Sequence, residues 1–405
     1  MNSIDGMSNP SAPVPPAPAN RGRIYNPVEK PSHPNSSDEE EDMMRHGIRV
    51  LVAVLVLALL ASVAGPTAAQ TKTKIAFIYV GPVGDAGWTF QHDNARKYLE
   101  QTMGAETKFV ENVPQTAEVA RVLEQFYQQG FKIVFATAFG YQNFAIDVAK
   151  KHSDMYIIGI GPAIVDLPPN MKLIYGRIWD GRYLTGIVAG KMTKSNVIGF
   201  VAAHPITTVV AGVNAFALGV QSVNPNAKIK VVWTNTWYDP PKEKSAAKAL
   251  LDAGADVIGQ HQDTPSPLQA AGEAKKWGVG SESNMQGFAP DAYLTGTIWD
   301  WRDVDTAIVK GILNKQFKSE DYYGGLSDKM VSLGPMNKNV PADVVAMVEQ
   351  RRKGIMDGSF QVFKGPLADQ TGKERVAAGK AMSLKEILDF KWLVKGIEGQ
   401  APPQK

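Results

Sequence analysis

Residues 74–91 read KIAFIYVGPVGDAGWTFQ: a lysine and six apolar residues, a loop holding glycine and proline, and the start of an amphipathic helical pattern. That order predicts a buried strand, a ligand loop and a helix N-terminus. The glycines Gly81, Gly84 and Gly87 are spaced by three and no GK[ST] follows, so the loop matches neither a phosphate loop nor a dinucleotide fingerprint. It presents Asp85 and Trp88 instead. A carboxylate and an indole suit a small, flat, hydrogen-bonding ligand, because open α/β sheets bind ligands beyond the carboxyl ends of their strands.

Working outward, strand-like runs recur at 106–113, 132–138, 155–161 and 172–178, and each gap but the last holds a helical pattern. In TAEVARVLEQFYQQG (116–130), Thr116 is placed to cap, Val119, Val122, Leu123 and Phe126 share one face, and Gly130 ends the helix. A second series follows at 197–203, 228–236 and 256–261, separated by helices such as ITTVVAGVNAFALGV. The alternation predicts an α/β protein with parallel sheets, and the missing linker predicts two tightly coupled lobes. The end of the chain is less regular, with a helix at 342–358 and a short hairpin expected to end at Phe360 to Phe363.

Upstream, Met44, Arg45, His46 and Arg49 precede fifteen uncharged, mostly aliphatic residues at 50–64. A membrane span needs about 20. Small residues follow at Thr67-Ala68-Ala69, so 44–69 is expected to be a cleavable signal peptide, with an uncleaved anchor as the alternative. Residues 1–43 carry eight prolines and an acidic run at 38–42. They are expected to be disordered and to be a gene-model extension, the alternative being a regulatory tail.

Net charge is +3 with no polybasic block, which gives nucleic-acid binding no support. The chain has no cysteine, so an exported protein of this kind needs no disulfide and lacks a lipidation site. A free, soluble periplasmic protein is the expectation. No Gly-x-Ser-x-Gly, Ser-x-x-Lys or His-Glu-x-x-His occurs, so no enzyme is expected; no cofactor is expected, and the histidine spacing suggests no metal site.

The segments GPVGDAGW (81–88), ATAFGY (136–141), YGRIWDGRYLTGIVAGKM (175–192), VVWTNTWYDP (231–240), VIGQHQD (257–263) and FAPDAYLTGTIWDW (288–301), in this order, resemble the basic membrane protein (BMP) family of ABC-transporter substrate-binding proteins. The likeness runs from about residue 73 to 395. It implies a type I periplasmic-binding fold: two doubly wound, Rossmann-like lobes joined by three crossings, with ligand in the cleft. The expected lobes are 73–179 plus 297–330 and 180–296 plus 331–395. Many family members carry purine nucleosides, and one branch looks suited to free bases.

Carried over by position, Asp85 matches the second acid of the family's first loop and Trp88 stands where Phe is usual. Trp88 either stacks on a base or packs on the lobe surface. Phe139 and Tyr141 follow the third strand and either wall the cleft or belong to the core; Trp179, in IWDG, is counted with the site. From the second lobe come His204, Trp237 and Asp263, the last either reading a purine's N–H edge or capping the helix after Thr264-Pro265.

Two departures bear on the ligand. Nucleoside-binding relatives tend to carry G-x-D-x-D and a lysine beyond the next strand, placed for ribose hydroxyls. This chain has GSESNM (280–285), with Glu282 and Asn284, and Trp299 in place of the lysine. A free base such as adenine is therefore favoured over a nucleoside, and a chemoreceptor ligand module is a further alternative. The partners implied are the purine and a permease in the inner membrane, with the protein itself a monomer.

Overall fold

The computed structural model describes residues 36–63, 72–163 and 165–400. The chain divides into two units, Met1–Gln70 and Thr71–Lys405. In the first, the described part is one helix, α1 (Ser36–Val63). The expected disorder of residues 1–43 is corrected from Ser36 onward: the acidic run lies in the first turns of α1, where the positive end of the helix dipole favours carboxylates. Residues 1–35 and the cleavage site near Ala69 lie outside the described residues. Among the described residues, no helix is long and apolar enough to cross a membrane.

The second unit opens with β1 (Lys74–Ile78), α2 (Trp88–Met103), β2 (Glu106–Val110), α3 (Glu118–Gln128), β3 (Ile133–Ala136), α4 (Gln142–Lys151), β4 (Tyr156–Ile160) and β5 (Met171–Gly176). It continues with α5 (Ile178–Met192), β6 (Val197–Ala202), α6 (Thr207–Val223), β7 (Lys228–Trp233), α7 (Pro240–Asp252), β8 (Val257–His261), α8 (Ser266–Glu273), β9 (Trp277–Gly280) and β10 (Tyr293–Trp299). After α9 (Arg302–Leu313), β11 (Tyr322–Gly324) and β12 (Val331–Leu333) come α10 (Ala342–Asp357), β13 (Leu367–Ala368), β14 (Glu374–Val376), α11 (Leu384–Leu388) and β15 (Ile397–Glu398).

The strands form two main sheets, ordered β11-β5-β4-β3-β1-β2 and β12-β10-β9-β8-β6-β7-β15. Every pairing within them is parallel except β10 with β12. The central strands are buried because helices cover both faces: β3 is apolar along its whole length, and β8 is buried throughout although it ends in Gln260 and His261. In α3 the predicted stripe Val119, Val122, Leu123 and Phe126 is buried, and Gly130 adopts a φ of +81° just past the helix.

The chain passes between the sheets three times: between β5 and α5, between β10 and α9, and between β11 and β12. The crossings are tied together, Arg177 N donating to Gly324 O at 2.7 Å and Asp300 N to Met330 O at 2.9 Å. Two lobe boundaries differ from expectation. Trp179 sits in α5, which packs on α6 in the second lobe, and β10 stays in the second sheet through Trp299. The expected hairpin also lies further on, at β13 and β14. Phe360 and Phe363 are packed against Tyr183 and Phe390 rather than paired as strand, with ring centroids 5.1 Å apart in both contacts.

Candidate functional site

Asp85 ends a 3₁₀ turn, Val83–Asp85, directly after β1. Its carboxylate accepts from the amides of Gly87 (2.8 Å), Thr89 (2.8 Å) and Phe90 (2.9 Å). These are amides that a helix N-terminus leaves without internal partners, so Asp85 fastens the start of α2. Burial pushes its carboxyl up to about 6, against the pull of those three amides. Asp85 therefore acts on the cleft through the residue it positions, Trp88.

The Trp88 indole donates to Thr137 O at 2.7 Å, which fixes the ring at the ends of β1 and β3. There it joins Phe139 and Tyr175 on one wall of a cleft of about 490 Å³ of empty space. Trp237, beyond β7, His261, the last residue of β8, Asp263 and Glu282 face them from the second lobe, with Ile206 and Thr208 at the start of α6. Among the described residues the wall carries aromatic rings and carboxyls but no lysine or arginine. A larger surface groove along α9, about 1010 Å³, is lined by Lys172, Asp303, Phe317 and Lys318 and lies away from these strand ends.

Glu282 is held from several sides. Ser281 Oγ lies 2.6 Å from it, Arg182 Nη2 3.3 Å, and the Trp299 indole N–H donates to its other oxygen. Burial raises its carboxyl, while Arg182, Ser281 and Trp299 oppose that. Arg182 is itself fully buried, and desolvation lowers it to about 10. Asp263 differs: among the described residues its carboxyl makes no hydrogen bond or ion pair, and burial followed by the charges of Asp85, Glu282 and Glu243 pushes it well above the usual range. It does not cap α8, whose N-cap is Pro265 with no side-chain bond. His261 is driven well below its ordinary value, first by burial and then by Arg182, so it is neutral.

The sequence-predicted residues thus divide. Trp88, Phe139, Trp237, Asp263 and Glu282 line the cleft together. Tyr141 does not: it is buried in the core, donating to Val113 O at 2.6 Å. Trp179 is likewise core, on a helix buried on every side. Trp299 forms a layer behind the wall, edge-on to Trp88 (centroids 5.6 Å) and Tyr175 (5.4 Å) and stacked on Trp301 (5.1 Å). His204 stands behind Trp237 with ring centroids 4.8 Å apart. Tyr175, Thr208 and His261 were not among the expected site residues. Their signal was position at a strand end or a helix start, and for Tyr175 and His261 also a place in the quoted segments 175–192 and 257–263. Among the described residues no group of His, Asp or Glu is arranged to hold a metal.

The two lobes touch across the cleft mouth, where Ser283 Oγ donates to Ala86 O and the backbone of Gly87 lies against that of Asp263. This is a closed form. Residues 72–362 match the family described as ABC transporter substrate-binding protein PnrA-like, Bmp. The chain belongs to the Bmp family. Among its Bmp-family and wider relatives, it is 38% identical over 341 residues to the Purine-binding protein BAB2_0673 of Brucella abortus, covering 84% of this chain and 96% of that one. It is 35% identical over 341 residues to a Haloferax volcanii protein provisionally named ABC transporter glucose-binding protein TsgA13, covering 84% and 83%. Its fold matches a solute-binding protein of an ABC transporter system from Conexibacter woesei, with a TM-score of 0.61 at 23% identity over 71% of this chain and 98% of that one. The Bmp-family protein is therefore an ABC-transporter substrate-binding protein of the type I periplasmic-binding fold.

Proposed function

We propose that this protein is the purine receptor of an importer, taking a free base such as adenine between its lobes and delivering it to an inner-membrane permease. The observation that carries this reading is the composition of the wall: Trp88, Phe139, Tyr175 and Trp237 supply flat apolar faces, and Asp263 and Glu282 supply carboxyls, with no cation among them. Stacking of a base on an aromatic ring is worth about 1–3 kcal/mol and tolerates any π face. Hydrogen bonds at the ring edge then set orientation. Glu282 is already engaged by Arg182, Ser281 and Trp299, which leaves Asp263 as the free edge reader. The purine-binding relative from Brucella abortus supports the ligand class.

Ligand bridging the two walls favours the closed form by its greater affinity for it, and the closed protein docks on the permease. Export by a cleavable signal into the periplasm, a monomeric state and the absence of catalysis complete the reading. Calorimetric titration of refolded, ligand-stripped protein with adenine, adenosine, guanine and ribose tests it. Saturable adenine binding with weak adenosine binding is expected; tight adenosine binding would return the protein to a nucleoside receptor, and silence toward all four would sink the purine assignment.

A further inference from the structure

Asp85 and Asp263 come from opposite lobes and are brought near each other, through Gly87, when the cleft is shut. Asp85 holds the amide of Gly87 at 2.8 Å, and the same glycine backs onto Asp263, with an added Cβ falling 2.2 Å from Asp263 O. The two acids are 1% and 3% exposed. Around Asp263 the charges are of one sign: Asp85 from the facing lobe, Glu282 from the loop after β9 and Glu243 from α7. His261, at the end of the strand leading to Asp263, is neutral. Among the described residues the buried cation nearby, Arg182, is spent on Gln260 O, Ser281 and Glu282, and Lys242 acts on His204.

An open cleft separates Asp85 from Asp263 and returns the Asp263 carboxyl to water, while Glu282 and Glu243 stay with it in the second lobe. Closing it without a proton would set unpaired like charges together in a medium that screens them poorly. We propose that closure of the cleft takes up one proton from solvent and that Asp263 holds it, so that the ligand meets a neutral carboxyl; the proton returns to solvent on opening. Asp263 is the holder because Asp85 has three amide donors to stabilise its charge and Asp263 has none. The directions of the shifts agree, with Asp85 at about 6 and Asp263 pushed well above its usual range.

A neutral carboxyl donates through its hydroxyl and accepts through its carbonyl. It fits a ring edge offering a bare nitrogen beside an N–H, as purine bases do, and to that extent the inference rests on the purine reading. The closure proton does not depend on it.

Two measurements separate the ideas. Small-angle scattering of the refolded, ligand-free protein is expected to give a smaller radius of gyration at about pH 5 than at about pH 8, with Asp263→Asn equally compact at both. Calorimetry with adenine, in two buffers of different ionisation heat, is expected to show net proton uptake on binding and none in Asp263→Asn. Affinity should fall by up to about tenfold per pH unit as pH rises toward the closed-form pKa. Should adenine fail to bind, the purine reading falls and scattering alone decides closure. An unchanged radius, or adenine binding without proton uptake, overturns the proposal; a pH effect lost in Asp85→Asn but kept in Asp263→Asn overturns the assignment to Asp263.

Discussion

Gly87 stands so close to Asp263 that a Cβ added to it would lie 2.2 Å from the Asp263 carbonyl oxygen and 2.8 Å from its Cα. One residue belongs to the loop after β1 and the other to the loop after β8, so this contact exists only across the closed cleft. Gly87→Ala is expected to hold the lobes apart. Ligand affinity should fall by at least about tenfold, because a ligand shifts the equilibrium only through its preference for the closed form. Titration alongside thermal unfolding checks it: a loss of affinity with little loss of stability is the expected pair.

Trp88 and Tyr141 both follow first-lobe strands, but only Trp88 faces the cleft. Trp88→Ala should weaken adenine binding by at least about tenfold, the equivalent of about 1.4 kcal/mol. Tyr141→Phe removes one buried hydrogen bond to Val113 O and should cost about 1 kcal/mol of stability with binding unchanged. Equal binding losses in the two variants would refute the division.

Arg182 is fully buried and lies 3.3 Å from Glu282. Arg182→Leu leaves that carboxylate in the interior without its counter-charge, and about 3–5 kcal/mol of stability should be lost. The double variant Arg182→Leu with Glu282→Leu should recover a large part of it, since neither member of the pair is then left without its counter-charge. Urea unfolding of the two single variants and the double variant gives the coupling directly.

Glu243 is buried in the second lobe, accepting from Asp239 N at 2.9 Å and from the Thr264 hydroxyl. Burial pushes its carboxyl up to about 7. The folded chain thus keeps a proton that the unfolded chain releases above its ordinary carboxyl range. The resulting stabilisation is fully present below about pH 4.5 and is lost as pH rises through about 7. Urea midpoints should fall between about pH 5 and pH 8, and Glu243→Gln should flatten part of that slope; Asp180, pushed up to about 7 by burial, contributes with the same sign.

The parallel sheets were legible because strand-like runs such as IAFIYV alternate with helical patterns along the chain. Trp88, Phe139, Trp237, Asp263 and Glu282 follow strands' carboxyl ends, and the structure brings these five to one cleft. Tyr141 and Trp179 were not separable from them on that ground. An aromatic residue near a strand end points into the cleft or into the core according to one or two backbone torsions, and composition does not record which. Tyr175 and His261 show the converse: both lie in the quoted segments 175–192 and 257–263, and only the structure brings them to the cleft.

By itself, then, the sequence determined the alternation of strands and helices, the carboxyl-end loops and the family, because local periodicity and short motifs act within a few residues along the chain. Only the tertiary structure decided that Trp299 backs the wall rather than forming it, that Glu282 is tied to Arg182, and that Gly87, held by Asp85, meets Asp263. Those relationships join residues about a hundred or more positions apart or on opposite lobes, and they arise from how the three crossings set one sheet against the other.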